Sequence, residues 1–170
     1  RHAVSFSRLL FFLKLAFLAL QATFFAIPNL RAPDGTPTNA ALGFCNMLAK
    51  VIREEKPDLV AVAFDPRGGT FRHRLYEGYK AGRDAQPEDL TKQFPLVREI
   101  LEAYGIALLE VKDFEADDVI ATLVAKAPED VDVTIVSTDK DLMQLVSPRV
   151  ELSDGMKDRR YGPAEVEERF

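Results

Sequence analysis

Six carboxylates in this 170-residue sequence follow runs of residues that are typical of buried β-strands. They are Asp65, after LVAVAF; Glu115, Asp117 and Asp118, in FEADDV after IALLEV; and Asp139 and Asp141, in TDKDL after DVTIVS. In a parallel sheet, sites gather outside the carboxyl ends of the strands, so these acids are expected at one edge. Carboxylates held close together repel one another. Divalent cations with oxygen ligands offset that repulsion, and the pattern therefore predicts a Mg²⁺ site.

Each acid taken alone also fits a simpler role in helix capping. Asp and Glu are favoured in the first turn of a helix, where they accept hydrogen bonds from free N–H groups and complement the helix dipole. Asp139 and one acid of the EADD run have such positions. One cap needs one acid, however, and capping does not explain six. Two divalent ions about 4 Å apart, clamping the attacking and leaving oxygens of a phosphodiester, would explain them.

A basic and aromatic segment, RGGTFRHRLYEGYKAGR at residues 67–83, begins two residues after Asp65. It carries five Lys and Arg against the single acid Glu77, although the whole chain has a net charge of −5. Cations that contact phosphates, interleaved with aromatic rings that stack on bases, suit single-stranded nucleic acid. A solvated basic loop is the simpler interpretation. Beside a carboxylate–metal cluster, the segment instead predicts phosphodiester hydrolysis, with Lys or Arg stabilising the charge that develops on the phosphate.

The rest of the chain predicts the scaffold that would hold these side chains. Strands that alternate with helices indicate an α/β fold with a mostly parallel central sheet flanked by helices. Thr38 is a candidate helix N-cap, and Gly105 has the position of a helix C′ residue. Strands are expected over 59–64, 106–111, 132–137 and 150–154, and helices over 40–55, 90–104, 116–126 and 140–146.

Composition limits the classes of site. A chain of this length that is 47% hydrophobic suits one globular domain, and nothing in it demands an oligomer, so a monomer is expected. The single cysteine, Cys45, excludes an internal disulfide and is interpreted as a buried, reduced thiol of a cytoplasmic protein. Two histidines and one cysteine do not make a zinc site of the usual kind, so any metal would be bound by oxygen.

Four stretches, in order, resemble the 5′→3′ exonuclease domain of bacterial DNA polymerase I, which belongs to the 5′-nuclease family together with the flap endonucleases. The stretches are FFAIPNLRAPDGTPTNAALGF, AFDPRGGTFRHRLYEGYKAGR, FEADDVIATL and VSTDKDLMQLV. The resemblance implies a PIN-like fold and a divalent-metal-dependent 5′→3′ exonuclease or 5′-flap endonuclease. Such enzymes hydrolyse DNA phosphodiesters, removing primers and flaps in replication and repair.

The resemblance also implies roles for particular residues. The six acids would bind two Mg²⁺ ions, for which Mn²⁺ would substitute. Lys80 and Arg83 would be catalytic, Lys80 matching a residue that touches the scissile phosphate. The implied partners are DNA with a 5′ single-stranded flap or end, an RNA primer, and a polymerase domain in the intact protein, with no membrane. Nucleic acid would be contacted by Arg72, Arg74, Tyr79, Lys80 and Arg83.

Two departures from the family pattern concern the ends of the chain. Family members begin with a strand that ends in an Asp-Gly pair, and counting back from Phe24 places Leu15 where that Asp belongs. We therefore expect residues 1–23 to be an atypical apolar segment that is not native family sequence. Residues 24–170 would be the N-terminal, resolvase-like domain, ending before two further ligand acids and a helix-turn-helix element. The fold would thus be incomplete at both ends.

Three other functions fit part of the sequence. A catalytically impaired nucleic-acid-binding fragment would share the fold and the basic segment. A receiver domain also has an acidic Mg²⁺ pocket, but this chain has too many carboxylates and no obvious strand lysine. A membrane-anchored or secreted protein would use the apolar run RLLFFLKLAFLALQATFFAIP, which begins at Arg8 and follows Arg1 and His2 but is interrupted by Lys14 and Gln21.

Overall fold

The computed structural model describes residues 9–12, 15–82, 85–155 and 157–170, with side chains from residue 20 onward. Helices and strands alternate along most of the chain. In order they are β1 (Leu9–Phe12), α1 (Leu15–Ala26), α2 (Asn39–Glu55), β2 (Leu59–Phe64), α3 (Phe71–Leu75), α4 (Glu88–Thr91), α5 (Phe94–Ala103), β3 (Ala107–Glu110), α6 (Ala116–Lys126), β4 (Val133–Val136), a 3₁₀ helix (Lys140–Leu145), β5 (Val150–Asp154), β6 (Arg159–Tyr161) and α7 (Pro163–Arg169).

The strands form one six-stranded sheet in the order β3-β2-β1-β4-β5-β6. The first five are parallel, and β6 runs antiparallel to β5. In the centre, Phe12 of β1 is in register with Val62 of β2 and with Val136 of β4. The predicted α/β class with a mostly parallel sheet is confirmed. Because β2 and β4 lie on opposite sides of β1, the strand order reverses there, and such points form crevices at the carboxyl ends of strands.

Both faces of the sheet are buried, as the apolar run of β2 predicts. Val62 and Phe64 contribute to a core with side chains of α1, α2 and α5. Ala63, which points to the other face, joins a second core made with α6, β4 and β5. The strand alternates between two cores, so its carboxyl end is fixed between helix layers, and Asp65 follows at that end.

The expected helix over 90–104 is wrong at its start, because the structure has α4 over 88–91 and a separate α5 from Phe94. Pro95 lies in the first turn of α5, where its missing N–H is not needed; farther inside a helix it would remove a hydrogen bond. The expected end is confirmed, since Gly105 follows the helix with a φ of 67°.

A glutamine at the break between α4 and α5 caps a different helix. Gln93 is fully buried, and its Oε1 accepts hydrogen bonds from the N–H groups of Ala40 (2.8 Å) and Ala41 (3.0 Å) at the start of α2. Its Nε2 donates to Asn39 Oδ1 and to the Asp89 carbonyl, both at 3.0 Å. The predicted cap, Thr38, precedes α2, but its hydroxyl donates to the Leu30 carbonyl instead.

The apolar stretch near the start of the chain supplies a strand and a helix. β1 lies in the middle of the sheet, and Leu20 of α1 is fully buried in the core. The expected boundary at residue 23 falls inside α1, and residues 1–8, 13 and 14 lie outside the described part. Within the described ranges, no helix combines the length and apolar character needed to cross a bilayer.

Candidate metal and nucleic-acid site

Asp65 connects the end of β2 to the start of α6. It lies directly after Phe64, the last residue of β2, and its Oδ1 accepts a hydrogen bond from the Ala116 N–H at 2.8 Å. Ala116 is the first residue of α6, and Glu115 precedes it. The structure therefore brings Asp65 to the same helix end as the EADD acids, as the sequence predicted.

The start of α6 holds two carboxylates in different environments. Glu115 is buried, with 5% of its surface exposed, whereas Asp118 is half-buried. The Glu115 N–H donates to Asp118 Oδ2 at 2.9 Å, so Asp118 has the structural capping role that the sequence left open for one acid of this run. Both carboxylates also have cationic partners, which a cap does not need.

Those partners come from the basic segment. Arg72 makes two hydrogen bonds to Asp118, from Nη1 to Oδ2 at 2.7 Å and from Nη2 to Oδ1 at 2.8 Å. Lys80 Nζ donates to Glu115 Oε1 at 2.6 Å, and the Tyr79 hydroxyl donates to Glu115 Oε2 at 3.1 Å. Three residues predicted to contact nucleic acid thus bind two predicted metal ligands.

The ion pairs favour the charged carboxylates. The paired Arg72 guanidinium is the main cause of the lowered pKa of Asp118, and in return the pKa of Arg72 is raised. For Glu115, burial raises the pKa, but hydrogen bonds from Lys80 and Tyr79 and the charges of Lys80 and Arg72 outweigh it and lower the pKa. Both acids are therefore ionised at neutral pH, the form in which carboxylates bind metal ions.

The basic segment is tied to the body of the protein at its start. Thr70 is buried and forms a bridge with Asp113, whose carbonyl accepts a hydrogen bond from the Phe71 N–H at 3.0 Å. The Phe71 ring packs against that of Phe114, with ring centroids 5.7 Å apart. Farther along, Lys80 has a φ of 59°, a left-handed conformation uncommon for a side chain of this size.

Two other predicted nucleic-acid contacts are not part of this cluster. Arg74 is largely exposed and forms an ion pair with Asp113 rather than with the acids of α6. Arg83 lies outside the described residues. Their predicted roles stay predictions.

The remaining predicted ligands have different environments. Asp139 caps the 3₁₀ helix, because its Oδ1 accepts a hydrogen bond from the Asp141 N–H at 2.9 Å, and Asp141 itself is exposed. Asp117 is half-buried in the first turn of α6. In the described part of the chain, no three acidic, histidine or cysteine side chains form a group that could hold a metal ion. The predicted metal site thus stays a prediction, although the donor set suits an oxygen-liganded divalent cation.

A leucine stands at the sequence position after β1 that corresponds, by residue count, to two of the predicted ligands after β2 and β4. Asp65 stands three residues after Val62, and Asp139 stands three residues after Val136. Both strand residues are in register with Phe12 of β1, and the residue three positions after Phe12 is Leu15. The middle strand is therefore followed by an apolar residue where each of its neighbours is followed by a carboxylate.

A cavity of about 520 Å³ opens beside Asp65. It is bounded by apolar side chains such as Phe64 and Phe94 and by polar side chains, among which are Asp65, Arg67, Gln86, Thr91 and Arg98. The sequence alone does not predict Gln86, Thr91 or Arg98 as site residues. They belong to no chemical motif, and only the packing of α4 and α5 beside the end of β2 brings them here.

Sequence comparisons identify similar proteins in bacteria. A family model for the N-terminal, resolvase-like domain of 5′-3′ exonucleases matches residues 16–170. DNA polymerase I of Rhizobium leguminosarum is 48% identical over 156 residues, which cover 86% of this chain and 15% of that protein. The corresponding enzyme of Bacillus caldotenax is 44% identical over 86% of this chain and 17% of its own length. The 5′-3′ exonuclease of Aquifex aeolicus is 42% identical over 87% of this chain and 52% of its own length.

The chain therefore spans about a sixth of the polymerases and about half of the exonuclease that it matches.

Solved structures with a similar fold come from bacteriophage T5. A T5 protein co-crystallised with metal ions superposes with a TM-score of 0.72 at 18% identity, over 95% of this chain and 60% of that chain. T5 5′-exonuclease with bound zinc gives a TM-score of 0.62 at 17% identity, over 91% and 58% of the two chains. The expected 5′-nuclease fold is confirmed.

Proposed function

Because the chain belongs to the family of N-terminal, resolvase-like domains of 5′-3′ exonucleases, we propose that it is the nuclease domain of a divalent-metal-dependent 5′→3′ exonuclease or 5′-flap endonuclease. One observation carries the proposal beyond family membership. Cationic side chains of the basic segment and carboxylates of α6 meet within hydrogen-bonding distance at the carboxyl edge of the sheet. The proposed phosphate-binding cations and the proposed metal-binding carboxylates therefore lie at the same place in the fold.

The proposed ligands of the metal are the six acids Asp65, Glu115, Asp117, Asp118, Asp139 and Asp141. Bound Mg²⁺ would supply an activated water and neutralise charge on the phosphate. Lys80 and Arg83 would stabilise the phosphate in the transition state, and Arg72 and Arg74 would hold the backbone of the strand. Tyr79 would provide a ring for stacking against a base.

The proposed substrate is DNA with a 5′ single-stranded flap or end, including one that begins with an RNA primer. The proposed ions are two Mg²⁺, with Mn²⁺ as a substitute. Since the polymerase relatives are several times longer than this chain, a polymerase domain is the proposed covalent partner. We further propose that the protein is a cytoplasmic monomer and acts in replication and repair.

Cleavage of a 5′-flap DNA in Mg²⁺ and in Mn²⁺ tests this function. We expect Asp117→Asn to lower cleavage by about a hundredfold or more, the range found when a group that stabilises transition-state charge is removed. Asp132→Asn is the matched control, because Asp132 is an exposed acid just before β4, at the amino end of that strand, and is not a proposed ligand. Equal cleavage by the wild type and Asp117→Asn would contradict the proposal.

A second function is favoured by Leu15, an apolar residue at the position where the family pattern has a ligand Asp. The chain would then be a catalytically impaired fragment that binds nucleic acid without hydrolysing it. Binding of the flap DNA with no cleavage in either metal ion would support this function over the first.

We also propose that residues 1–23 derive from a shifted reading frame or a wrong start rather than from native family sequence. The leucine at position 15, where the family pattern has an Asp, supports this origin. Sequencing the DNA upstream of Phe24 tests it. A strand that ends in Asp-Gly in another frame is expected, and an intact frame without one would contradict it.

A further inference from the structure

Hydrogen bonds engage all four carboxylate oxygens of Glu115 and Asp118. Glu115 Oε1 accepts from Lys80 and Oε2 from Tyr79. Both oxygens of Asp118 accept from Arg72, and Oδ2 also accepts from the Glu115 N–H. Two buried or half-buried negative charges are thus balanced by two positive charges from the basic segment.

A divalent cation and these side chains compete for the same oxygens. A metal ion binds through carboxylate lone pairs, and hydrogen bonds from Arg72, Tyr79 and Lys80 already take a lone pair on each oxygen of Asp118 and Glu115. Cations packed beside a bound metal ion would also be repelled by its charge.

We propose that Arg72 and Lys80 are intramolecular substitutes for the metal, and that metal binding at Glu115 and Asp118 releases residues 72–80 to nucleic acid. The proposal rests on the proposed function, since it concerns the same metal ligands. The new element is a coupling between metal binding and the release of Arg72 and Lys80. A metal ion both completes the site and frees the cations that would hold the phosphate.

The surroundings of the segment suit such a release. Leu75 and Tyr76 are 80% and 69% exposed, so little apolar burial holds this part of the segment in place. Thr70 is buried and would stay attached to the body of the protein while the residues after it move. Lys80 has a left-handed backbone conformation while its side chain is paired with Glu115. Release of the segment would relieve the backbone strain at Lys80.

The affinity for Mn²⁺, measured by calorimetry on the whole chain, tests the competition. We expect Arg72→Gln and Lys80→Gln each to tighten Mn²⁺ binding by about fivefold or more, the low end of typical coupling between sites. Lys112→Gln is the control, because Lys112 is an exposed cation close to α6 in sequence and lies outside the proposed site. Binding that is weakened, or changed no more than in the control, would overturn the proposal.

Hydrogen exchange on the wild type provides a measurement that needs no variant. We expect amides of residues 72–82 to exchange faster in saturating Mn²⁺ than in chelator, and unchanged or slower exchange would overturn the release. If neither the wild type nor any variant binds Mn²⁺, the metal-dependent function fails together with this inference. If Mn²⁺ binds but the affinities of the variants and the exchange rates do not follow the expected order, only the inference fails.

Discussion

The contact between Arg72 and Asp118 joins two residues that are distant in sequence through two parallel hydrogen bonds. Paired hydrogen bonds between a guanidinium and a carboxylate are stronger and more specific than those between neutral groups. Arg72 also lies 4.6 Å from the centroid of the Phe71 ring, which helps to hold the guanidinium in place. Arg72 therefore holds the Asp118 carboxylate through opposite charge and a defined geometry.

The pair makes stability depend on pH in a defined direction. Because Arg72 lowers the pKa of Asp118 in the folded protein, the stabilisation is fully present above the unfolded carboxyl pKa of about 4. It is lost as the pH falls through the lower folded value. In metal-free protein we expect Arg72→Gln to reduce the free energy of unfolding at pH 7 by about 1–3 kcal/mol, and by progressively less below about pH 4.

Urea unfolding at a series of pH values measures this difference. Lys112→Gln is again the control, since it removes a charge without breaking the pair. A reduction that is the same at pH 3 as at pH 7 would show that Arg72 acts through packing rather than through the charge of Asp118.

The sequence predicted which residues lie at the site, but not how they pair. The acids after β2 and β3 could be located because parallel strands deliver their carboxyl ends to one edge. The pairing of Asp118 with Arg72 depends on the path by which the basic segment returns to α6. Local secondary-structure propensity does not determine that path. For Asp139, in contrast, the contact in the structure was predictable from the sequence. Its side chain caps the 3₁₀ helix, which is the simpler role considered for it.

Among the elements, β2 and α6 have the bounds that the sequence predicted, 59–64 and 116–126. Each has a strong signal: a continuous apolar run for β2, and a helical repeat behind an acidic first turn for α6. The sequence signals the break between α4 and α5 only weakly, through Pro95. Pro is tolerated in the first turn of a helix, so its presence near the expected start at residue 90 does not require a break. Buried polar groups such as Gln93 have no signal in a single sequence.

The start of α2 is expected to depend on Gln93. We expect Gln93→Met to lower the free energy of unfolding by about 2–4 kcal/mol, because buried N–H groups of Ala40 and Ala41 would lose their acceptor and each such loss costs about 1–3 kcal/mol. Chemical denaturation measures the loss. The same substitution at the exposed Gln144 is the control and should change stability by less than about 0.5 kcal/mol.

A change of less than about 1 kcal/mol at Gln93 would contradict this role, since it would mean that the N–H groups find other acceptors. The result would also bear on the site. Gln93 joins α2 to the turn between α4 and α5, and α5 contributes Phe94 and Arg98 to the cavity beside Asp65.

For the whole molecule, a bound metal ion should raise the melting temperature. A ligand that binds only the folded state, at a hundred times its Kd, stabilises by about 2.7 kcal/mol. For a chain of this size that corresponds to a rise of about 5–10 °C. Thermal unfolding in Mg²⁺, Mn²⁺ and chelator measures the shift.

The shift should be smaller in Asp117→Asn, which removes one proposed ligand charge without changing side-chain size. Equal melting temperatures in chelator and in saturating metal ion, for the wild type, would contradict a metal site formed by the folded chain. An equal shift in both proteins would instead exclude Asp117 as a ligand.

The central position of β1 also has a kinetic consequence. Its register joins Leu9 to Leu59 on one side and to Val133 on the other, so its partners are separated from it by most of the helices. In the described sheet, β2 and β4 each pair with the four residues of β1 and not with one another. Contacts of such long range are closed slowly, and we therefore expect the sheet to be assembled late in folding. The acids after β2 and β4 reach a common edge only when that last step is complete.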